Sequence, residues 1–363
     1  MFKILCLIDS LGMGGAERQM IGLAALLKQK GIDVEIVTYY PQNSYSELLQ
    51  KYDIGVTVLK TRHNKLCKLF TIYRHIKGSG GYDWIIAYKD GACLIGCLLK
   101  MLLNVKLIVS ERSMNRFVSN YDKIKFFLYK WADYVVPNSF SQENFIKRNF
   151  PYLEKRLVTI TNYTDTDMFF PNNHSRGHQL IIVTIARISR AKNIINYLKS
   201  IRLLKDAGID NVKFEWYGNV QKGEEEYGEE VFQTKERLNI SDVMTFFPAT
   251  SNVVECYQRA DVFCLPSIYE GFSNVICEAM SCGKPIVCGR VSDNPHIVQD
   301  EINGLLFDPN DVEDIAAKLK HIICKPEQEL LSWGLKSRKI SLELFSKDKF
   351  VSKYLNLMGV TEP

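Results

Sequence analysis

The chain has 363 residues, 46% of them hydrophobic and 24% charged, a composition ordinary for a soluble globular protein and a length that calls for two domains of about 180 residues each. Its ten cysteines include no C-x-x-C pair and no Cys/His cluster with zinc spacing, so a zinc ribbon is excluded and the thiols read as reduced, mostly buried groups of a cytoplasmic protein. The net charge of +5 is uneven: 23 Lys+Arg face 15 Asp+Glu through Met168, against 23 and 26 in the remainder, so the first half either faces something acidic or simply tolerates a basic surface.

In chain order, "FKILCLI" is a first buried strand whose short apolar run, broken by Asp9, makes a poor signal peptide. The Gly-rich loop "SLGMGGAER" (10–18) and the helix-period "AERQMIGLAALLKQKG" follow. "DVEIVTYY", "GVTVLK", "DWIIAY", "KLIVS", "YVVPNS" and "RLVTIT" continue as strands with Gly, Asp or Ser at their ends. The run "CLIGCLLKMLL" (93–103) contains Lys100 and falls short of the roughly 20 residues a membrane span needs, so no transmembrane segment is expected. The polar, aperiodic "NYTDTDMFFPNNHSRGHQ" (162–179) reads as a linker, after which "LIIVTIAR", "KFEWYG", "VMTFFP", "DVFCLPS", "KPIVCG" and "GLLFD" resume the beat. Alternating strands and helices predict an α/β protein of two Rossmann-like domains, 1–170 and 171–345, facing across a cleft.

The stretch "SIYEGFSNVICEAMSCGKP" (267–285) carries Glu270 before a Gly271 turn and Glu278 inside the helix that follows, with Ser273 or Asn274 as its cap. A helix start reached through such a turn is an anion site, because its free N–H groups and the positive end of the dipole point at the ligand. A phosphate fits there. Glu278 then lies about 6 Å along the helix axis, and carboxylates beside a phosphate escape repulsion only by facing hydroxyls, where each can accept two bonds from a diol. A diphosphate with a diol on each side is a nucleotide sugar. In "VTIARISRAKN" (183–193), Arg187 ends a strand and Lys192 falls in the first turn of the next helix; together they can neutralise a departing diphosphate without metal. The loop at Gly14 and Gly15 fails the dinucleotide fingerprint, since Glu17 stands where G-x-G-x-x-G needs Gly and "DVEIVTYY" ends without an acid for ribose. A dehydrogenase is disfavoured; the glycines permit close backbone approach to a ligand across the cleft.

These motifs, with "INGLLFDPNDVEDIA" (302–316), together resemble retaining glycosyltransferase family 4, of the GT-B fold. The likeness spans nearly the whole chain. It implies that Glu278 binds ribose, that Glu270 holds the donor sugar's hydroxyls, and that backbone groups of Gly271, Phe272, Ser273, Asn274 and Val275 contact sugar and phosphate. It implies that Arg187 and Lys192 stabilise the leaving diphosphate, that Gly14 and Gly15 belong to a loop closing over the donor, and that the segment 346–363 packs back on the first domain. One departure stands out: where many members carry a His-containing motif near the sugar's 6-hydroxyl, this chain reads "VSERSMN". Glu111 and Arg112, with Asn138, are therefore the candidates for acceptor or sugar contact. The "SER" form resembles members that act in bacterial surface polysaccharide and lipid-linked oligosaccharide synthesis. The "DTD" at Asp165–Asp167 reads as a turn, and neither metal nor cofactor is expected.

For the acceptor, "KTRHNKLCKLFTIYRHIK" (60–77) combines six Lys/Arg with Leu66, Leu69, Phe70, Tyr73 and Ile76 at near-helical spacing, and "KIKFFLYK" (123–130) is a second candidate. A basic amphipathic helix suits an anionic membrane surface, although an ordinary helix with its apolar side in the core has the same pattern. The expectation is a UDP-sugar, or else GDP-sugar, hexosyltransferase with a lipid-linked or saccharide acceptor, peripheral at the cytoplasmic membrane face and without a nucleic-acid motif. A nucleotide-sugar epimerase and a non-catalytic nucleotide-sugar binder are the alternatives.

Overall fold

The computed structural model describes residues 2–12, 14–60, 65–172, 177 and 179–360. Parts of four expectations lie outside them: Met13 of the Gly-rich loop, 61–64 of the basic segment, 173–176 and 178 of the linker, and 361–363 of the C-terminal segment. The chain divides into two compact units, Met1–Tyr163 with Lys347–Pro363, and Thr164–Ser346.

In the first unit, β1 (Lys3–Ile8), β2 (Asp33–Thr38), β3 (Val56–Val58), β4 (Trp84–Tyr88), β5 (Lys106–Glu111) and β6 (Tyr134–Pro137) pair in parallel in the order β3-β2-β1-β4-β5-β6. The second unit repeats the plan with β7 (Leu180–Ile185), β8 (Val212–Tyr217), β9 (Met244–Phe247), β10 (Val262–Leu265), β11 (Ile286–Gly289) and β12 (Gly304–Phe307), ordered β12-β11-β10-β7-β8-β9. Continuous apolar runs make such sheets because both faces are covered. On β1, Ile4, Cys6 and Ile8 enter one core, and Leu5 and Leu7 the other. All ten cysteines are free, and eight are buried.

One expected strand does not form. The "RLVTIT" segment lies beside β6 through a single bridge, Val135 to Leu157, with the N–H groups of Val158 and Ile160 donating to the carbonyls of Val135 and Pro137. A continuing parallel ladder would need the N–H of residue 137 in return, and proline has none.

The expected linker is also partly structured. Asp165 turns back to accept the N–H groups of Asp167 and Met168, Phe169 is buried in the second unit, and the Arg338 guanidinium donates to the carbonyls of Thr166, Phe169 and Ser281. The "DTD" tripeptide is thus a turn closed on its own backbone.

Helix Lys347–Met358 lays Phe350, Val351, Tyr354 and Leu355 into the first unit's core. The basic segment forms helix Lys65–Gly78, but Leu69, Ile72, Tyr73 and Ile76 turn inward. Lys68 is buried over the rings of Tyr39 and Tyr40, leaving Leu66 and Phe70 outside. Among the described residues no helix is long and apolar enough to cross a membrane.

Candidate functional site

In the second unit, β7 leads to β8 and β9 on one side, and the chain then returns to place β10 on the other. Connections leaving the carboxyl ends of β7 and β10 diverge, and that topological switch point is where open parallel sheets bind ligands. Arg187 and Lys192 follow β7, whereas Glu270 and Glu278 follow β10.

Lys192 and Glu270 meet directly. The Lys192 ammonium donates to Glu270 Oε1 at 2.5 Å, and the Ser267 hydroxyl donates to the same oxygen at 2.6 Å. Both charged side chains are mostly buried, 17% and 13% exposed, so the pair is screened less than a surface ion pair. Ser292 holds the Glu270 backbone from both ends: its hydroxyl accepts from Glu270 N–H at 3.2 Å and donates to Glu270 O at 2.6 Å. The two loops are further tied by the N–H of Ile268 donating to Ala191 O at 3.0 Å.

Lys192 sits in a separate 3-10 turn, Arg190–Lys192, rather than in the first turn of the following helix, which starts at Ile194. Asn193 between them has φ +57°, a left-handed conformation that interrupts helix and that Asn tolerates better than most residues. Arg187 is exposed, and its guanidinium makes no ion pair or hydrogen bond among the described residues, so it is available to a ligand. Its backbone is fixed from behind: Trp216 Nε1 donates to Ala186 O at 2.8 Å, and a Cβ on Gly218 would fall 2.0 Å from that same oxygen.

Helix Asn274–Ser281 begins without a side-chain cap. Ser273 occupies the expected position, but its hydroxyl donates to Asn294 Oδ1 at 3.0 Å instead of serving the helix N–H groups. A helix start left uncapped retains its anion-binding capacity. Phe272 turns its ring into the core against Phe345, and Val275 packs there too, so only their backbones remain for a ligand. Glu278 is half-buried and accepts the phenol of Tyr257 at 2.9 Å. Tyr257 is fully buried, and its pKa lies well above the usual tyrosine value because of burial first and the Glu278 charge second, so it stays a donor that orients the carboxylate.

In the first unit the switch point lies between β1 and β4. Gly14 and Gly15 follow β1, with Gly15 opening helix Gly15–Gln29. The Tyr45 hydroxyl accepts from Gly14 N–H and donates to Gly14 O at 2.9 Å. The backbone at Gly14 is extended, and a Cβ there would lie 2.4 Å from a Glu17 carboxylate oxygen, so a larger residue would have to displace the Glu17 side chain. Glu17, 5% exposed, accepts Lys89 at 2.6 Å, which joins the loops after β1 and β4.

The three candidates for acceptor or sugar contact are placed differently from expectation. Glu111 is 1% exposed and engaged by Lys125 Nζ at 2.9 Å and the Tyr129 hydroxyl at 2.5 Å. Burial raises its pKa despite those partners, and a carboxylate so enclosed serves the protein rather than a sugar. Arg112 stacks 3.9 Å from the Tyr88 ring centre and donates to Asn162 and to the Tyr354 hydroxyl, bracing the C-terminal helix. Asn138 is 4% exposed, in a buried position at the end of β6, although its Oδ1 has no partner among the described residues. Sequence reasoning overlooked the supports Ser267, Ser292 and Tyr257; the chain's only local hint was the turn-forming "RVSDN" around Ser292, which has φ +48°.

Two family models divide the chain between them: Glycosyltransferase Family 4 over residues 13–168 and Glycosyl transferases group 1 over 165–339. The chain is a family 4-like glycosyltransferase of the GT-B fold. The enzyme is 26% identical over 95% of its length to an uncharacterized glycosyltransferase of Haemophilus influenzae, covering 96% of that protein. It is 27% identical over 89% of its length to a Campylobacter jejuni N-acetylgalactosaminyltransferase named for an undecaprenol diphosphate-linked acceptor, again covering 89%. Its fold matches a Rickettsia africae glycosyltransferase with a TM-score of 0.87 at 19% identity, over 98% of this chain and 97% of the other. Anabaena HepE, solved with UDP and glucose, matches with a TM-score of 0.85 at 19% identity over 99% and 100%. For this glycosyltransferase the expected fold, two parallel α/β units of Rossmann type, is the observed one.

Proposed function

We propose that the enzyme transfers a hexose from a nucleoside-diphosphate sugar, UDP-sugar before GDP-sugar, to a lipid-linked or saccharide acceptor in cell-surface polysaccharide synthesis, with retention and without a metal. The observation that carries the donor reading is the Lys192–Glu270 pair at the second unit's switch point, on the same loop as an uncapped helix start and one strand from Arg187. The uncapped N–H groups receive phosphate, Glu278 takes the ribose diol, and Lys192 exchanges Glu270 for a phosphate oxygen, releasing Glu270 to the sugar hydroxyls. Leaving-group stabilisation by Arg187 and Lys192 then carries the rate, with the acceptor attacking from the face the diphosphate leaves and a departing phosphate oxygen taking its proton. Support for UDP comes from HepE, solved with UDP and glucose, and for a lipid-linked acceptor from the Campylobacter relative's name.

Thermal shift with UDP-, GDP- and ADP-sugars, with and without EDTA, tests the donor reading. One nucleotide should raise Tm in the wild type, EDTA should leave the shift intact, and Glu278→Ala should weaken donor binding by about ten- to a hundredfold. A shift abolished by EDTA would refute metal independence; no shift with any nucleotide at high concentration would refute the donor assignment.

A further inference from the structure

Helix Asn120–Leu128 is turned inside out. Its inward side is Asp122, Lys125 and Phe126, at 5%, 1% and 0% exposure, while Tyr121, Ile124 and Phe127 face outward at 48%, 62% and 50%. Phe117, just before it, is 81% exposed. Glu111 under the helix is the cause: it binds Lys125 and Tyr129, and Asp122 closes a capping box with Ser119. Charged side chains are thereby drawn inward, and the apolar stripe at i, i+3 and i+6 is left outside.

An exposed apolar patch of this extent marks a contact surface. Its charge selects the partner. From Arg112 to Trp131 the exposed ions are Arg116, Lys123 and Lys130, and the single acid of that stretch, Asp122, is buried. The Lys130 ammonium lies 4.6 Å from the Phe127 ring centre and 4.4 Å from that of Tyr152, so cation and aromatic rings share one edge. Aromatic and aliphatic side chains ringed by cations match the interface of an anionic bilayer. A second copy docked through the same face would set like charges against each other.

We propose that the outward face of helix Asn120–Leu128, with Phe117, seats the enzyme on an anionic lipid bilayer. The proposal deepens the reading of a lipid-linked acceptor and rests on it for its purpose, but its test uses neither donor nor acceptor. Full-length enzyme is sedimented with phosphatidylcholine vesicles with and without phosphatidylglycerol, over a range of salt. Wild type should bind the anionic vesicles and lose binding as salt rises, and Trp131, packed edge-on to Phe127 at 5.7 Å, should be quenched by brominated lipid. Ile124→Glu with Phe127→Glu should weaken vesicle binding at least about tenfold, with the melting temperature and any nucleotide-induced shift unchanged. Lys123→Gln with Lys130→Gln should remove the preference for anionic lipid. Equal vesicle binding by wild type and the double Glu variant would overturn the proposal. So would a concentration-dependent dimer, abolished by the same variant, in place of vesicle binding. Vesicle binding without any nucleotide response would support the surface and refute the donor reading.

Discussion

Lys192→Ala should lower kcat by about 10²- to 10³-fold while changing donor affinity less than about tenfold. The diphosphate gains charge only as the glycosidic bond breaks, so a cation placed against it contributes more in the transition state than in the bound ground state. The geometry adds a second expectation. Lys192 and Ser267 share Glu270 Oε1, so removing the lysine leaves a mostly buried carboxylate with one neutral donor. Glu270→Gln should therefore cost less in the Lys192→Ala background than in the wild type, which a double-mutant cycle on single-turnover release of the nucleoside diphosphate measures. An unchanged kcat with a large loss of affinity would reduce the pair to a binding clamp. Strictly additive effects would show that the two residues act independently.

Lys125→Met should destabilise the first unit by about 3–5 kcal/mol, a fall in its melting temperature on the order of 10 °C. Both partners of the Lys125–Glu111 pair are buried, at 2% and 1% side-chain exposure. Burial pulls the ammonium toward neutrality, but the Glu111, Asp90 and Asp122 carboxylates hold its pKa above the usual lysine value. Removing it strands Glu111, whose pKa burial already raises, and the carboxyl will take a proton. A carboxyl with a raised folded-state pKa favours the folded state below its unfolded pKa, and that contribution is lost as pH rises through the folded value. The deficit of Lys125→Met relative to wild type should accordingly shrink on acidification, and Glu111→Gln in the same chain should recover much of it at neutral pH. Calorimetry across pH checks both. A Tm equal to wild type in Lys125→Met would show the pair to be energetically neutral.

The fold was legible because the strands of both sheets are short apolar runs with period-3.6 segments between them, a pattern that tolerates errors of a residue or two at each end. The exception was Leu157–Ile160, where the composition of a strand is present but the partner residue is a proline. The loop proposed to hold the donor could be read as one unit for a related reason: Glu270, the Gly271 turn, the helix start and Glu278 lie within nine consecutive residues, so local geometry alone relates them. The surroundings of Glu111, Arg112 and Asn138 were not legible, because their partners, Lys125, Tyr354 and Glu111 itself, come from elements that spacing does not bring together.

By itself the sequence determined the α/β alternation, the parallel pairing and which residues each switch-point loop carries, because periodicity, turns and strand ends are properties of neighbouring residues. Only the tertiary structure decided which charges meet. Lys192 and Glu270 stand 78 residues apart, and Lys125 reaches Glu111 across the end of a strand. The same pairing turned helix Asn120–Leu128 over, since satisfying a buried carboxylate outweighs hiding Ile124 and Phe127 from water. Hydrophobic pattern predicts which face a helix buries only when nothing beneath it demands a charge.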